Sequence, residues 1–527
     1  MHLISLCLSF LKKVVKKERI VIMKKHQITI EPLGITCTAN EGTSLYELLR
    51  NYPIDFPCGG KEICGNCRIK VLSGKIDTSP VHAEWLHRKG LSDEWRLACM
   101  SKIEGDLIIE IPRQSMQIQT DTSRISSFLP EEGYGIAVDL GSTTIVAQLV
   151  NLTTSHVSDT CTKVNPQISF GADIISRIGY AMQSKEKSLQ LRNIIRACIG
   201  EMISSLLSEN LISDLKKVVV VGNTVMHHLF AGYDVSPLAS APYQSPRNEG
   251  YSLSPSDLKW TLPSSCTVTF LPNLSHFVGS DILCGIQASE MANRKEYTLL
   301  IDLGTNGEMA LGNRERIVYT STAAGPAFEG VNISCGMRAT TGAIYAVEEN
   351  GNQGLYKTIG GRKPLGICGS GLIEVIHRLL THEYIDMTGA MTNPECTAIH
   401  LAEGVDLTID DIREFQLAKA ALAAGMELLL KEYGIKAEQV ARVYLTGGLG
   451  NYLNVEKAKR LGLFRDFDSN HITRLENAAL AGCRQFLFES NRHSIASILK
   501  RATFCPLENK AEFQDIFCEQ LFFAYSH

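Results

Sequence analysis

The feature that most constrains this chain is a group of four cysteines with uneven spacing. Cys58, Cys64 and Cys67 lie in the run CGGKEICGNC, and Cys99 follows at a distance. A [2Fe-2S] cluster needs four thiolates, of which one loop supplies three and a separate segment supplies the last. Structural zinc usually takes paired CxxC units, and this set contains one. The spacing therefore predicts a [2Fe-2S] site rather than a zinc knuckle or a set of unrelated buried thiols.

The residues around these cysteines, from about 24 to 113, have the element order of a small ferredoxin. HQITIEP and GITCTA alternate like half-buried strands, TSLYELLRN is typical of a short amphipathic helix, and CRIKVL and DLIIEIP predict two more strands. The first gap between the cysteines is five residues rather than four, and in this the run resembles the adrenodoxin-like branch of the ferredoxins. That resemblance implies a β-grasp domain that carries one electron at a time.

The length and charge of the chain set the limits on everything else. A chain of 527 residues holds about three compact units, and a net charge of -4 gives no electrostatic case for a nucleic-acid partner. The apolar stretch LISLCLSFL is too short to span a bilayer, and its basic residues follow it, whereas in a secretory signal they precede it. The remaining cysteines form no disulfide framework, so we expect a cytoplasmic protein without a membrane partner.

The order of patterns along the chain predicts its domain organisation. We expect residues 1–22 to be an upstream extension, because Met23 begins a sequence that starts directly with the first strand. The polar stretch 114–134 is a predicted linker. An α/β pattern then follows, and we divide it into the segments 135–295, 296–500 and 501–527, the last of which matches no motif.

Two similar hairpins occur in the α/β region, GIAVDLGSTTIVAQLV and LLIDLGTNGEMALG. In each, an apolar strand ends in an Asp and a glycine turn. Gly141 and Gly304 let backbone amides approach an oxyanion, and Asp139 and Asp302 lie where they can hold Mg²⁺ through water. The other candidate phosphate contacts are Ser142, Thr143, Thr305 and Asn306.

Each half also contains a later strand, turn and apolar continuation, LKKVVVVGNTVMHHLF in the first and VARVYLTGGLGNYLN in the second. A duplicated α/β protein with two facing halves binds its ligand in the cleft between them. We therefore expect one Asp hairpin on each side of a nucleotide's phosphates. The glycines Gly447, Gly448 and Gly450 would let the backbone lie flat against adenosine.

At this point the motifs resemble known families. DLGSTT, DLGTNGE and LTGGLGN are similar to the phosphate 1, phosphate 2 and adenosine motifs of the actin, sugar kinase and heat-shock chaperone superfamily. NPQISFGADIISRI, VVGNTVMHHLFAG, AAGPAFEGVNISCGMRATTGAI and GICGSGLIEVI resemble the reductive activators of corrinoid proteins. The fold implied is an α+β β-grasp ferredoxin domain followed by a duplicated α/β actin-like, ribonuclease H-like ATPase. LTGGLGN and ENAALAG depart from the Phe-containing and Gly-Asn forms expected.

The resemblance implies an ATP-dependent activase that returns inactive cobalt(II) in a corrinoid protein to cobalt(I), with an electron from the [2Fe-2S] cluster. ATP, Mg²⁺ and the cluster are the implied cofactors. The implied partners are the corrinoid protein of a methyltransferase system and an upstream low-potential electron donor, and the same resemblance implies a homodimer. Glu308 and Glu329 are candidates for positioning the attacking water.

Two other function classes stay open from the sequence. The first is an activator of an acyl-CoA dehydratase-type enzyme, in which Cys335 and Cys368 would share a [4Fe-4S] cluster across two subunits. Their small-residue surroundings are more typical of buried free thiols. The second is a redox-gated nucleotide switch that transfers no electron.

Overall fold

The computed structural model describes residues 24–524 apart from 32–33, 51, 53, 55, 57–59, 61, 63–64, 66, 89–90, 112–124, 126, 172, 241–242, 244–246, 305, 351–352, 450–451 and 465. Several sequence predictions lie outside the described residues: the upstream extension, most of the linker, Cys58, Cys64, Thr305 and Gly450.

The first unit is a five-stranded mixed sheet with two short helices. Its elements are β1 (Lys25–Glu31), β2 (Ile35–Asn40), α1 (Leu45–Leu49), β3 (Arg68–Ser73), α2 (Pro80–Arg88), β4 (Trp95–Leu97) and β5 (Leu107–Glu110). The strand order is β2-β1-β5-β3-β4, in which β1 pairs with β5 in parallel and the other pairs are antiparallel. Ser44 begins α1, and its hydroxyl accepts from the Tyr46 amide at 3.2 Å. This topology confirms the predicted β-grasp domain.

The second unit is built on a six-stranded sheet. Its elements are β6 (Tyr134–Leu140), β7 (Thr144–Asn151), β8 (Val157–Val164), α3 (Ile174–Ala181), α4 (Lys185–Leu206), β9 (Leu215–Gly222), α5 (Thr224–Ala231), β10 (Tyr251–Leu253), α6 (Pro255–Leu258), β11 (Thr267–Phe270) and α7 (Ser280–Ala288). The order is β10-β11-β9-β6-β7-β8. The run Leu215–Gly222 is buried over nearly its whole length, as expected for a strand with parallel neighbours on both sides.

The third unit repeats this plan and adds two small sheets. Its elements are β12 (Tyr297–Leu303), β13 (Gly307–Gly312), β14 (Ile317–Thr322), β15 (Ala343–Asn350), β16 (Gln353–Thr358), β17 (Gly366–Ile367), α8 (Gly369–Thr381), β18 (Ala398–Ala402), β19 (Val405–Thr408), α9 (Ile409–Tyr433), β20 (Val440–Thr446), α10 (Val455–Arg460), β21 (Ile472–Arg474), α11 (Ala478–Gln485), α12 (Glu489–Arg501), β22 (Ala502–Phe504) and α13 (Phe513–Gln520). The large sheet has the order β21-β20-β12-β13-β14-β22.

The two large sheets share one topology around their central strands. β6 pairs antiparallel with β7 and parallel with β9, and β12 pairs in the same way with β13 and β20. Asp139 and Asp302 are the penultimate residues of β6 and β12, so the duplication brings them to equivalent positions. The predicted duplicated α/β fold of the actin and ribonuclease H type is therefore confirmed.

The end of the chain packs into the third unit. β22 pairs in parallel with β14 at the edge of its sheet, and the Thr320 hydroxyl donates to the Cys505 carbonyl at 2.7 Å. The buried Lys419 ammonium on α9 donates to the Phe522 carbonyl at 2.7 Å. Among the described residues, no helix is long and apolar enough to cross a membrane.

Candidate functional site

Two cysteines of the predicted cluster set lie side by side in the first unit. The sulfur atoms of Cys67 and Cys99 are 3.1 Å apart, both side chains are buried, and the Cys99 amide donates to the Cys67 sulfur at 3.4 Å. Gly60 and Gly65 have φ of 82° and 61°, which a residue with a Cβ adopts only with strain. Thiols from two separate segments, with an amide aimed at sulfur, fit the ligand set of a [2Fe-2S] cluster.

A large cleft of about 1670 Å³ lies between the second and third units. The turn between β6 and β7 and the turn between β12 and β13 both border it. The predicted site residues along this cleft are Asp139, Gly141, Ser142, Thr143, Asp302, Gly304, Asn306, Glu308, Glu329, Gly447 and Gly448. The structure thus brings together every described residue that the sequence assigned to the nucleotide and its hydrolysis.

The floor of the cleft is a group of carboxyls. Burial raises the pKa of Asp139 to about 6, against the lowering effect of Asn477, whose side-chain amide donates to it at 2.8 Å. Burial, followed by the charges of Asp281, Asp139 and Glu329, raises the pKa of Asp302 to about 7. The repulsion among these acids can be offset by protons or by a cation bound through water, because within the described part of the chain no three of them are grouped as direct metal ligands.

Two further carboxyls complete this floor. Glu308 is the direct neighbour of Asp302 across the β12–β13 ladder, and burial together with Asp281 and Asp302 raises the pKa of Glu308 far above its ordinary value. Asp281, in the first turn of α7, has a pKa that is raised by burial and by Asp139. Asp281 was not predicted as a site residue.

The raised pKa values make stability depend on pH. An unfolded Asp titrates near 3.9, so between about pH 4 and pH 7 the folded protein binds more protons at Asp302 than the unfolded chain does. Stability from this group is therefore present at low pH and is lost as the pH rises through that window. We measure the melting temperatures of Asp302→Asn and wild type in EDTA. The difference, variant minus wild type, is expected to be larger at pH 8 than at pH 5 by roughly 2 °C or more.

The control for this measurement is Asp159→Asn, which changes an exposed carboxylate on β8. The melting temperature of this control is expected to differ from that of wild type by the same amount at every pH in this range. If the melting-temperature difference between Asp302→Asn and wild type were also independent of pH, the charge of Asp302 would not destabilise the fold.

The backbone directly after β20, at Gly447, lies close to the second hairpin. Gly447 has a φ of 91°, and a Cβ built on it would lie 2.5 Å from the Asp302 carboxylate and 2.6 Å from the Leu303 carbonyl. Gly448 has open space around the same position. The first glycine is therefore required by both conformation and space, whereas the second is not.

We expect Gly447→Ala to destabilise the fold by about 1–3 kcal/mol and to displace Asp302, because the new methyl group enters a strained and occupied position. Gly448→Ala is the matched control and is expected to unfold like wild type. Thermal unfolding of both variants, with ATP affinity measured in parallel, tests this. Equal stability of the two variants would contradict the close packing.

Several residues that face or support the cleft were missed from the sequence. Asn223 begins α5 and donates to the Ser142 hydroxyl at 3.3 Å, and Asn477 begins α11 beneath Asp139. Asn165 and Arg177 hold the first hairpin from behind. The available signals were an Asn directly before an apolar helix in GNTVMHHLF and ENAALAG, and the polar pair within NPQISFGADIISRI.

Cys335 and Cys368 both border the cleft and both are buried. The Cys368 sulfur contacts the Ile344 carbonyl and the Ser370 hydroxyl, each at 3.2 Å, so it makes the contacts of an ordinary buried thiol. Within the described part of the chain, no three His, Cys, Asp or Glu side chains are grouped as metal ligands.

Comparison with known proteins identifies the three units. Residues 28–104 match the profile of a 2Fe-2S iron-sulfur cluster binding domain, residues 134–294 that of the RACo middle region, and residues 296–527 that of the C-terminal domain of RACo, the ASKHA domain. A solved structure titled reductive activator for corrinoid, iron-sulfur protein has a TM-score of 0.67 and 27% identity, with 95% of this chain and 99% of that chain covered.

Two curated relatives extend over most of the chain. The corrinoid activation enzyme RamQ of Eubacterium limosum is 32% identical over 425 residues, 74% of this chain and 71% of that protein. The [Co(II) methylated amine-specific corrinoid protein] reductase of Methanosarcina barkeri is 28% identical over 405 residues, 70% of this chain and 73% of that protein. With its ferredoxin unit and duplicated ATPase fold, the chain belongs to the RACo-type family of reductive activators of corrinoid proteins.

Proposed function

We propose that this protein uses ATP to drive the reduction of a corrinoid protein's cobalt(II) to cobalt(I). A [2Fe-2S] cluster held by Cys58, Cys64, Cys67 and Cys99 supplies the single electron and is itself oxidised by one electron. The relatives named for corrinoid activation and for cobalt(II) corrinoid reduction support this substrate class.

The observation that carries the proposal is that the cluster unit and the nucleotide cleft touch within one chain. The Tyr46 hydroxyl on α1 donates to the Ser169 carbonyl at 3.0 Å, and the Arg50 guanidinium lies 5.8 Å from the centre of the Phe170 ring. Trp85 on α2 borders the cleft itself. A change at the nucleotide can therefore reach the unit that holds the cluster through direct packing, which a sugar kinase would not require.

The cleft residues have separate tasks in this proposal. Asp139 and Asp302, one from each hairpin, border the cleft and would hold Mg²⁺ through water. The amides of the two turns receive the phosphates, and the backbone at Gly447 and Gly448 lies against adenosine. Glu308 and Glu329 are the candidates for positioning the attacking water.

Energy is the reason for coupling ATP to the electron. Moving a two-state equilibrium from one side to the other takes about 5.5 kcal/mol of differential affinity, which a nucleotide bound between the two halves can supply if it binds one arrangement of them more tightly. We propose that closure of the halves around ATP changes how the corrinoid partner is held, so that the cobalt accepts the electron. Hydrolysis then releases the partner.

The partner, the donor and the assembly are finer parts of the same proposal. We propose a corrinoid protein of a methyltransferase system as the partner, an upstream low-potential donor that reloads the cluster, a homodimer as the assembly and the cytoplasm as the location. The activator of an acyl-CoA dehydratase is not supported, because the family is that of corrinoid activators and Cys368 makes ordinary thiol contacts.

The proposal is tested with the full chain purified without oxygen and reduced with dithionite. Each corrinoid protein of the source organism is added in its cobalt(II) state, and the absorbance of cobalt(I) is followed with and without ATP. We expect cobalt(I) to form with one of these proteins and only when ATP is present. Cobalt(I) formation that is independent of ATP, or none with any corrinoid protein, would contradict the proposal.

A further inference from the structure

Two fully buried side chains hold the first phosphate hairpin from behind. The Asn165 side-chain amide donates to the Gly141 carbonyl at 2.9 Å, and its backbone amide donates to the Thr143 carbonyl at 2.8 Å. The Arg177 guanidinium on α3 donates to the Ser142 carbonyl. The three turn residues border the cleft, whereas Asn165 and Arg177 do not. Three consecutive carbonyls are thus turned away from the cleft.

The direction of these carbonyls fixes the direction of the amides. In a trans peptide the C=O and the N–H point in opposite directions. The Gly141 carbonyl shares its peptide with the Ser142 amide, and the Ser142 carbonyl shares its peptide with the Thr143 amide. Since both carbonyls point to Asn165 and Arg177, both amides point away from those two residues, and the turn that carries the amides borders the cleft. Adjacent amides directed to one space form a binding site for an anion.

The environment of Arg177 suits an anion on the far side of the hairpin. Burial lowers the pKa of Arg177 to about 9, so the guanidinium is still charged at neutral pH. Its other contacts are the Gly171 carbonyl at 2.8 Å and the Met226 sulfur at 3.7 Å. Asp173 is the nearby acid: its carboxylate accepts from the Ser176 amide and hydroxyl at 2.8 and 2.6 Å, and its charge acts to raise the pKa of Arg177. Asp173 offsets part of the cost of burying this charge, and an anion bound at the hairpin would offset more of it.

The charge of the cleft makes this compensation important. Its floor is acidic, and among the described residues Arg338 is the only lysine or arginine that borders it. A chain of phosphates entering this cleft needs amide donors and positive charge from elsewhere. The Arg177 guanidinium donates to the carbonyl of the peptide between Ser142 and Thr143. This hydrogen bond aligns the dipole of that peptide so that its positive end, the Thr143 amide, points away from Arg177 and is available to an anion.

We propose that Arg177 and Asn165 are positioning residues, which hold the Ser142 and Thr143 amides in the direction needed to bind the phosphates of a nucleotide. The inference rests on the proposed function, in which the cleft binds ATP. It assigns the NPQISFGADIISRI segment to the recognition of phosphate rather than to folding alone.

The test compares the affinities for ATP and for adenosine, both with Mg²⁺ present, by calorimetry on the full chain. Arg177→Lys keeps the positive charge, but an ammonium group cannot donate to both the Gly171 and the Ser142 carbonyls in the fork geometry of a guanidinium. Asn165→Asp keeps the shape and the acceptor for the Gln167 amide but cannot donate to Gly141. We expect each variant to bind ATP about tenfold or more weakly, with adenosine affinity unchanged.

The matched control is Arg196→Lys. Arg196 also bonds two backbone carbonyls of the second unit, those of Phe230 and Ala231 at 2.8 and 3.1 Å, but it does not border or support the cleft. We expect its ratio of ATP to adenosine affinity to equal that of wild type. A loss of both affinities in the Arg177 and Asn165 variants would indicate a purely structural role and overturn the inference.

The outcomes also separate this inference from the proposed function. If wild type binds ATP no more tightly than adenosine, the proposed ATP site is wrong. If wild type prefers ATP and both variants keep that preference, the positioning role is wrong while the ATP site stands. Should Arg177→Lys fail to fold, the affinity ratio of Asn165→Asp decides the question alone. Restoration of ATP affinity in Arg177→Ala by added guanidinium ion would support the assignment independently.

Discussion

Replacing Cys67 by serine is expected to remove the [2Fe-2S] cluster while leaving the nucleotide cleft intact. The Cys67 sulfur is buried and lies 3.1 Å from that of Cys99, and a serine oxygen is a poor substitute for a soft thiolate ligand of iron. Iron content should fall from about two atoms per chain to nearly none. The paramagnetic signal of the dithionite-reduced protein and the ATP-dependent formation of cobalt(I) should disappear with it, whereas ATP should still bind.

Cys37→Ser is the matched control for this prediction. Cys37 lies on β2 of the same unit and its sulfur contacts the Ile28 carbonyl at 3.6 Å, but it is outside the predicted ligand set. The control should keep its iron and its activity. Full cobalt reduction by the Cys67→Ser chain would instead indicate a nucleotide switch that transfers no electron.

The hairpins show why much of this fold was predictable from the sequence. β6 and β12 are apolar runs that end in an Asp and a glycine turn, and both local signals act within a few residues. The short helix of the first unit was equally local, because Ser44 caps it directly. The Asp hairpins, the later strands β9 and β20 and the cysteine run sufficed for the correct fold class.

The parts that were missed depend on contacts between distant segments. Asp281 reaches the acidic floor only because α7 packs beside the hairpins, and Asn477 reaches Asp139 across 338 residues of sequence. Arg177 has no local pattern that distinguishes it from an exposed helical arginine, and its burial follows from the fold of the whole unit. Similarly, β22 joins its sheet by pairing with β14, and a strand of three residues is too short to be predicted from a sequence pattern.

The second large effect is expected from Asp302→Asn in the cleft. Asp302 borders the same cleft as Asp139, and an asparagine side chain keeps the shape of the carboxylate but loses the charge that is proposed to hold Mg²⁺. We expect ATP hydrolysis and ATP-dependent cobalt(I) formation to fall by about 10²-fold or more, a rise in the barrier of about 2.7 kcal/mol. Initial rates of phosphate release and of cobalt(I) absorbance measure the two effects.

Asp139→Asn should give a loss of the same order, because the duplication places the two carboxylates equivalently. The double variant should lose little more than either single one, since both carboxylates are proposed to serve one metal ion and their effects would then not be additive. Asp159→Asn on the exposed face of β8 is the control that should hydrolyse ATP normally. Hydrolysis at the wild-type rate by Asp302→Asn would contradict a metal site at the hairpins.

Iron loading separates this variant from the cluster variant. Asp302→Asn should keep its cluster, and its dithionite-reduced signal should match that of wild type, because Asp302 and Cys67 lie in different units. Cys67→Ser should in turn keep its affinity for ATP. We expect Cys67→Ser to lose cobalt reduction while it still binds ATP, and Asp302→Asn to lose cobalt reduction while it keeps its cluster. This pair of results would show that electron supply and nucleotide turnover are both necessary for cobalt reduction and that neither is sufficient, as the proposed coupling requires.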